Sequence, residues 1–82
     1  MSKKEKLIKK LAHTNKTFAW SDLVTLLTQL GFEKFERAGS RVAFIHCKDQ
    51  DVIHLHKPHP EGDIKGGALS ALKRHLSVRG DL

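Results

Sequence analysis

Four leucines with helical spacing, followed by a glycine, constrain the fold of this chain most strongly. They recur at i, i+3, i+4 and i+7, as on one side of an α-helix, and are Leu23, Leu26, Leu27 and Leu30. Ser21 is a suitable N-cap, and Asp22 favours the first turn because helix N-termini attract negative charge. Gly31 can take the left-handed conformation that ends a helix. We therefore expect a helix from about Asp22 to Leu30 with its leucines in the core.

Three stretches with β character follow, separated by short polar segments. They cover about Glu33–Arg37, Arg41–Cys47 and Val52–His56, and short connections between them predict an antiparallel meander. After a polar loop, apolar residues return to helical spacing. This pattern predicts a last helix from about Gly67 to Val78, with Gly80 as its stop.

The N-terminal segment from Lys3 to Ala12 predicts a short amphipathic helix with lysines opposite its apolar side. One interpretation is a basic arm that binds RNA or the surface of a membrane, and the other is an accessory helix whose lysines are solvated. We expect residues 1–82 to form a single α+β domain, with 1–17 as accessory helix and connector. Two helices would cover one face of the three-stranded antiparallel sheet.

The charge of the chain points to a polyanionic partner. The sequence has 15 Lys and Arg against 9 Asp and Glu, a net charge of +6 with histidines neutral. Contacts to phosphates release counterions, so nucleic acid is the favoured partner. Only five aromatic residues are present, which argues against a platform that stacks successive bases. A basic DNA-binding protein is a weaker alternative, because the sequence has no helix-turn-helix pattern to support it.

Composition also bears on location. The single Cys47 cannot form an internal disulfide, and no apolar run approaches the roughly 20 residues of a membrane-spanning helix. We expect a cytoplasmic protein without membrane association. We interpret Cys47 as a small core residue, not a nucleophile, because nothing nearby in sequence would activate its thiol.

Histidine density marks the candidate site. Four of the six histidines fall between positions 46 and 59: His46, His54, His56 and His59. RNA cleavage without a metal needs a base for the 2′-hydroxyl, an acid for the leaving oxygen, and cations for the transition state. Histidine suits both proton transfers. We hypothesise that His56 and His59 are the acid and base. The alternative is that they are polar surface residues.

Basic side chains complete the predicted site. Arg41 and Lys57 would hold the phosphate, and Arg41 would also stabilise the transition state. Further RNA contacts are predicted for Lys34, Lys73 and Arg74, of which the last two could equally be solvated charges. His54 and His56 have the spacing of metal ligands, but no cysteine pair or HExxH motif accompanies them. We expect neither a metal nor a cofactor.

A series of short motifs runs through most of the chain. They are NKTFAWSDL at 15–23, LGF at 30–32, Gly39-Ser40 before the second strand, and His59-Pro60 shortly before Ile64-Lys65. In order and spacing they resemble the HicA toxin family. The resemblance implies a fold like that of the double-stranded-RNA-binding domain, ribosome-independent cleavage of mRNA, and neutralisation by a HicB antitoxin.

One position departs from the family pattern. Members often have Gly-Ser-His at the second strand, and that histidine is held responsible for cleavage, whereas this chain has Gly39-Ser40-Arg41. Arginine binds phosphate well but is a poor general base. We predict a toxin that binds and cleaves mRNA through other histidines. The alternative is a non-catalytic module that binds RNA or the antitoxin.

Overall fold

A computed structural model describes residues 3–14, 16–58 and 62–82 of the protein. In these ranges the chain forms three helices and five strands. They are, in order, α1 (Lys3–His13), β1 (Thr17–Ala19), α2 (Trp20–Gln29), β2 (Phe32–Glu36), β3 (Arg41–His46), β4 (Val52–His56), β5 (Asp63–Lys65) and α3 (Gly66–Arg79). The fold is α+β and is consistent with that of a double-stranded-RNA-binding domain. No helix in the described ranges has the length and apolar character needed to cross a bilayer.

The main sheet has strand order β2-β3-β4, and both pairings are antiparallel. Successive side chains of a strand point to opposite faces, so the register divides the sheet into two surfaces. One face is packed into the core by Val42, Phe44 and His46 on β3, which are all buried, as are Ile53 and Leu55 on β4. The opposite face, which we call the open face, carries Arg41 and the two β4 histidines.

The N-terminal helix is part of the core. Leu7 of α1 is buried, and Leu11 is fully so, in one cluster with the leucines of α2 and α3. Burying a leucine side chain contributes about 1.5–3 kcal/mol, so α1 adds to the stability of the fold. Its lysines face solvent, and Lys10 forms an ion pair of 2.8 Å with Asp22 of α2.

A second, two-stranded sheet pairs β1 with β5 in antiparallel register, and no pattern in the sequence indicated it. Phe18 lies opposite Ile64, and both are buried. The prediction of Ser21 as N-cap is wrong: α2 begins at Trp20, and no side chain caps it. The N–H of Trp20 donates to the carbonyl oxygen of Gly62 (2.8 Å), so the backbone next to β5 satisfies the first of the N–H groups that a helix start leaves without a partner in the helix.

The predicted helix ends are confirmed at both glycines. Gly31 follows α2 with φ of 101°, and Gly80 caps α3 with φ of 87°. This left-handed backbone is strained for residues with a Cβ atom. At Gly31 a second reason excludes a larger residue, because an added Cβ would lie 2.9 Å from the His46 Nε2.

Candidate functional site

A row of basic side chains crosses one end of the open face. The backbone N–H of Arg37 donates to the carbonyl oxygen of Arg41 (2.8 Å), and Arg41 lies opposite His56 on the next strand. Residues directly opposite each other project from the same face, so these three side chains stand side by side across the sheet. Within the described ranges, neither arginine forms an ion pair with a carboxylate. The row is therefore a positively charged strip facing solvent.

The hydrogen-bond pattern of the β3-β4 ladder brings Arg41 and His56 especially close. The N–H of Lys57 donates to the Ser40 carbonyl oxygen (2.7 Å), so Ser40 and Lys57 form a hydrogen-bonded pair. This pair lies next to the pair of Arg41 and His56 in the ladder. Hydrogen-bonded and non-hydrogen-bonded pairs alternate in antiparallel sheets, and the second kind has Cα atoms only about 4.5 Å apart. Arg41 and His56 form a pair of the second kind. Their Cβ atoms are thus neighbours in space.

A hollow of about 340 Å³ lies at this end of the sheet. It is lined by Arg37, Arg41, Val42, His54, Leu55 and His56. His54 and His56 are both exposed, and their Cα atoms are separated by about 6.6 Å, two strand residues. The hollow therefore joins two guanidinium groups and two imidazoles. Such a set can bind a phosphate and exchange protons with its oxygen atoms.

Arg41 itself is anchored at the β2-β3 turn. Its Nε donates a long hydrogen bond of 3.4 Å to the carbonyl oxygen of Ala38, and its side chain remains exposed. Lys57 follows β4 directly and is half-buried. The prediction for His59 falls on a residue outside the described ranges.

Three predicted RNA contacts lie away from this hollow. Lys34 is exposed but opposite Phe44 in the register, and so belongs to the face that carries the core. The Nζ of Lys73 donates to the carbonyl oxygen of Thr14 at 2.6 Å, so its ammonium group holds the end of α1. Arg74 is exposed on α3, beside a separate concavity. The structure does not bring these three residues together with Arg41.

The sheet separates His46 from His54 and His56. His46 is 8% exposed, and its Nε2 donates to the carbonyl oxygen of Leu30 (2.9 Å), while Nδ1 accepts from the N–H of Lys48 (3.2 Å). Its ring also meets Phe32 edge-on at 4.9 Å. With both nitrogens engaged, His46 connects the end of α2 to the turn after β3. It has a structural role.

The interpretation of Cys47 as a core residue is wrong. β3 ends at His46, and Cys47 lies in the following turn, where it is exposed. Its backbone N–H donates to the carbonyl oxygen of Gly31 (2.9 Å), which fixes the start of that turn.

A second charged cluster holds the β3-β4 turn against α3. Arg79 contacts Asp49 and Asp51 at 3.0 Å each and Asp81 at 2.8 Å. His75 Nε2 donates to Asp51 at 2.6 Å, and this bond, with help from Arg79, holds the pKa of the Asp51 carboxyl below its usual value. The pKa of Asp49 is lowered chiefly by the backbone N–H of Asp51.

The contacts of this charged cluster give it a structural role. The Arg79 guanidinium also lies 4.9 Å from the centre of the Phe32 ring, so the cluster reaches the edge of the core. No sequence pattern indicated it, because its members are distant along the chain. Among the residues described by the structure, no group of three His, Cys, Asp or Glu side chains is arranged to hold a metal ion.

Comparison with known proteins identifies the kind of protein. Residues 20–78, well over half of the chain, match the family model of the HicA toxin of bacterial toxin–antitoxin systems. The match runs from the start of α2 into α3 and includes the whole open face. The protein is thus a toxin of a toxin–antitoxin module, and its partner is a cognate antitoxin. The chain belongs to the HicA toxin family. Neither the curated proteins nor the solved structures gave a match.

Proposed function

We propose that this toxin acts in the cytoplasm as an endoribonuclease that binds and cleaves mRNA without a metal, and that a HicB-like antitoxin restrains it. One observation carries the proposal: Arg41 and His56 form the closest kind of cross-strand pair beside a hollow that Arg37 and His54 also line. Cationic groups and proton-transfer groups are thus adjacent on an exposed surface. Both are needed to cut a phosphodiester.

The reaction that suits these groups uses the RNA's own 2′-hydroxyl. A histidine acting as base removes the 2′-hydroxyl proton, and the 2′-oxygen attacks the adjacent phosphorus. The bond from phosphorus to the 5′-oxygen breaks, and a second histidine, as acid, protonates that oxygen. Arg41 donates N–H groups to the non-bridging oxygens as negative charge develops on them. The products are a 2′,3′-cyclic phosphate and a 5′-hydroxyl.

His56 takes one of the two proton transfers in this proposal because it adjoins Arg41. For the other, His59 is the candidate from sequence. The hollow offers His54 as an additional candidate, since it shares the open face with His56. Comparing the double variants His56→Ala/His59→Ala and His56→Ala/His54→Ala with each single variant assigns the second role.

The test is incubation of purified protein with a mixed-sequence single-stranded RNA in excess EDTA, with fragment ends mapped by mass. We expect cyclic phosphate ends and a loss of about 10²–10⁴-fold in rate for His56→Ala. His13→Ala, a change at an exposed histidine of α1, should leave the rate unchanged. Arg41→Ala should also slow cleavage. Lys34→Ala is its matched control and should leave the rate unchanged, since it removes an exposed cation from the other face.

Intact RNA that still shifts on a native gel would contradict the nuclease. Arg41 at the position where the family often has histidine favours that alternative, a non-catalytic module that binds RNA or the antitoxin. A cell-based test separates the two. Induction of an active nuclease should stop growth, a co-expressed antitoxin should restore it, and His56→Ala should be tolerated.

A further inference from the structure

An aromatic ring stands exposed on the open face next to the arginines. Phe35 of β2 is 37% exposed instead of lying in the core, and the Arg37 guanidinium carbon lies 5.8 Å from its ring centre. A large apolar side chain kept in water beside a strip of cations is a common feature of nucleic-acid surfaces, where bases stack on aromatic rings. We infer that Phe35 stacks one unpaired base of an RNA strand whose phosphate occupies the hollow.

The register places a small residue beside the Phe35 ring. Phe35 lies opposite Ala43, and Ala43 lies opposite His54, so a small residue separates two rings across the sheet. Ala43 is 1% exposed, so its neighbours cover it, and the aromatic surface that a base can reach is that of the Phe35 ring itself.

The Phe35 ring adjoins the basic row at the spacing of one side chain. Phe35 and Arg37 are two residues apart on the same face, about 6.6 Å along the strand. Arg41 and His56 complete the neighbouring row. A base stacked on Phe35 therefore leaves its own backbone within reach of the arginines. One ring serves one base, in agreement with the small number of aromatic residues in the chain.

This geometry selects single-stranded RNA. In a duplex the faces of each base are covered by its neighbours in the stack, so no face is available to Phe35. The inference rests on the proposed function in taking RNA as the ligand. It does not depend on cleavage, because stacking contributes to binding alone.

The experiment measures binding by fluorescence anisotropy of a labelled 2′-O-methyl oligonucleotide, which cannot be cut through its 2′-oxygen. We compare the single strand with a duplex of the same sequence. Phe35→Leu keeps an apolar side chain but removes the aromatic face, and it should weaken single-strand binding about tenfold while leaving duplex binding unchanged. Phe35→Trp should bind the single strand as tightly as the natural protein or more tightly.

Val52→Thr is the matched control. Val52 is also 37% exposed and on the open face, but it lies at the other end of β4, opposite Ile45. It should bind both oligonucleotides like the natural protein. Equal loss of single-strand and duplex binding in Phe35→Leu, or no loss in a folded variant, would overturn the inference. So would a Phe35→Leu variant defective only in antitoxin binding, since the ring would then serve the protein partner.

The two proposals fail in distinguishable ways. If Phe35→Leu loses single-strand binding but the natural protein cuts no RNA, the stacking role stands and the nuclease does not. If RNA is cut with unchanged KM in Phe35→Leu, the nuclease stands and the stacking role does not.

Discussion

Replacing Gly31 by alanine tests whether His46 is a structural histidine. Gly31 has φ of 101°, and left-handed backbone costs a residue with a Cβ about 1–2 kcal/mol. The new Cβ would also lie 2.9 Å from His46 Nε2, so the ring must move. Movement breaks its bond to the Leu30 carbonyl oxygen and leaves buried polar groups unpaired, at about 1–3 kcal/mol.

The two costs add to about 2–5 kcal/mol, a large part of the roughly 4–12 kcal/mol expected for a domain of this length. We expect Gly31→Ala to lower the Tm by about 10 °C or more, measured by circular dichroism. Gly80→Ala is the matched control. Gly80 also ends a helix, with φ of 87°, but nothing lies within 4 Å of its added Cβ. It should show the backbone cost alone.

A double-variant cycle isolates the contribution of the ring. In a His46→Ala background the clash is absent, so Gly31→Ala should then cost no more than Gly80→Ala. Equal Tm losses for the two glycine variants in the natural background would refute the reasoning. An undiminished cost of Gly31→Ala in the His46→Ala background would refute it as well.

Three further predictions concern charged residues. Arg41→Ala should lower the single-turnover rate of RNA cleavage about 10²–10³-fold. Arg41→Lys keeps the charge but loses the planar set of N–H donors, so its rate should lie between those of the natural protein and Arg41→Ala. Lys73→Met removes the donor to Thr14 and should lower stability by about 1 kcal/mol in urea unfolding with unchanged RNA affinity; weaker RNA binding would contradict the structural role. The pKa of Asp51 is lowered in the folded protein, chiefly by the hydrogen bond from His75. Its charge therefore stabilises the fold above pH about 4, and this stabilisation is lost as pH falls through the folded-state pKa. The Tm advantage of the natural protein over Asp51→Asn should therefore shrink in acid, and a constant difference from neutral pH to pH about 3 would contradict the pairing.

Elements with a strong local pattern were predictable from the sequence. The leucine spacing of α2 predicted that helix to within two residues of its observed start, and the strand boundaries of β4 match the prediction. The end of α2 at Gly31 was also predictable, since few residues other than glycine adopt that backbone. Such signals lie within a few residues of one another, so they do not require knowledge of the fold.

Pairings between distant segments were not predictable in the same way. β1 and β5 have only three residues each, too few for an alternating pattern, and Phe18 finds Ile64 only once the chain has folded. The same limit explains the error at Ser21. A capping side chain was expected from local preference, but the β1-β5 pairing already satisfies the first N–H of the helix.

The histidine cluster shows how far sequence density can guide a site prediction. Four histidines close in sequence suggested one site, yet His46 belongs to the core face while His54 and His56 belong to the open face. Alternation along each strand was readable, but the face that meets the helices depends on the pairing of all three strands. The exposed Phe35 and its contact with Arg37 were indicated by no motif.

The chemistry of the open face depends on the buried face through the strand register. Arg41 meets His56 only because Val42 pairs with Leu55 and Phe44 with Ile53 on the core side. A slip of β4 by one residue would turn both histidines towards the helices and bring Ile53 and Leu55 into water, so burial of these side chains enforces the pairing. Position 41 itself faces solvent, so the core does not dictate its residue type. The pairing of the core residues therefore sets the position of residue 41, while the choice between arginine and histidine there sets the chemistry of the face.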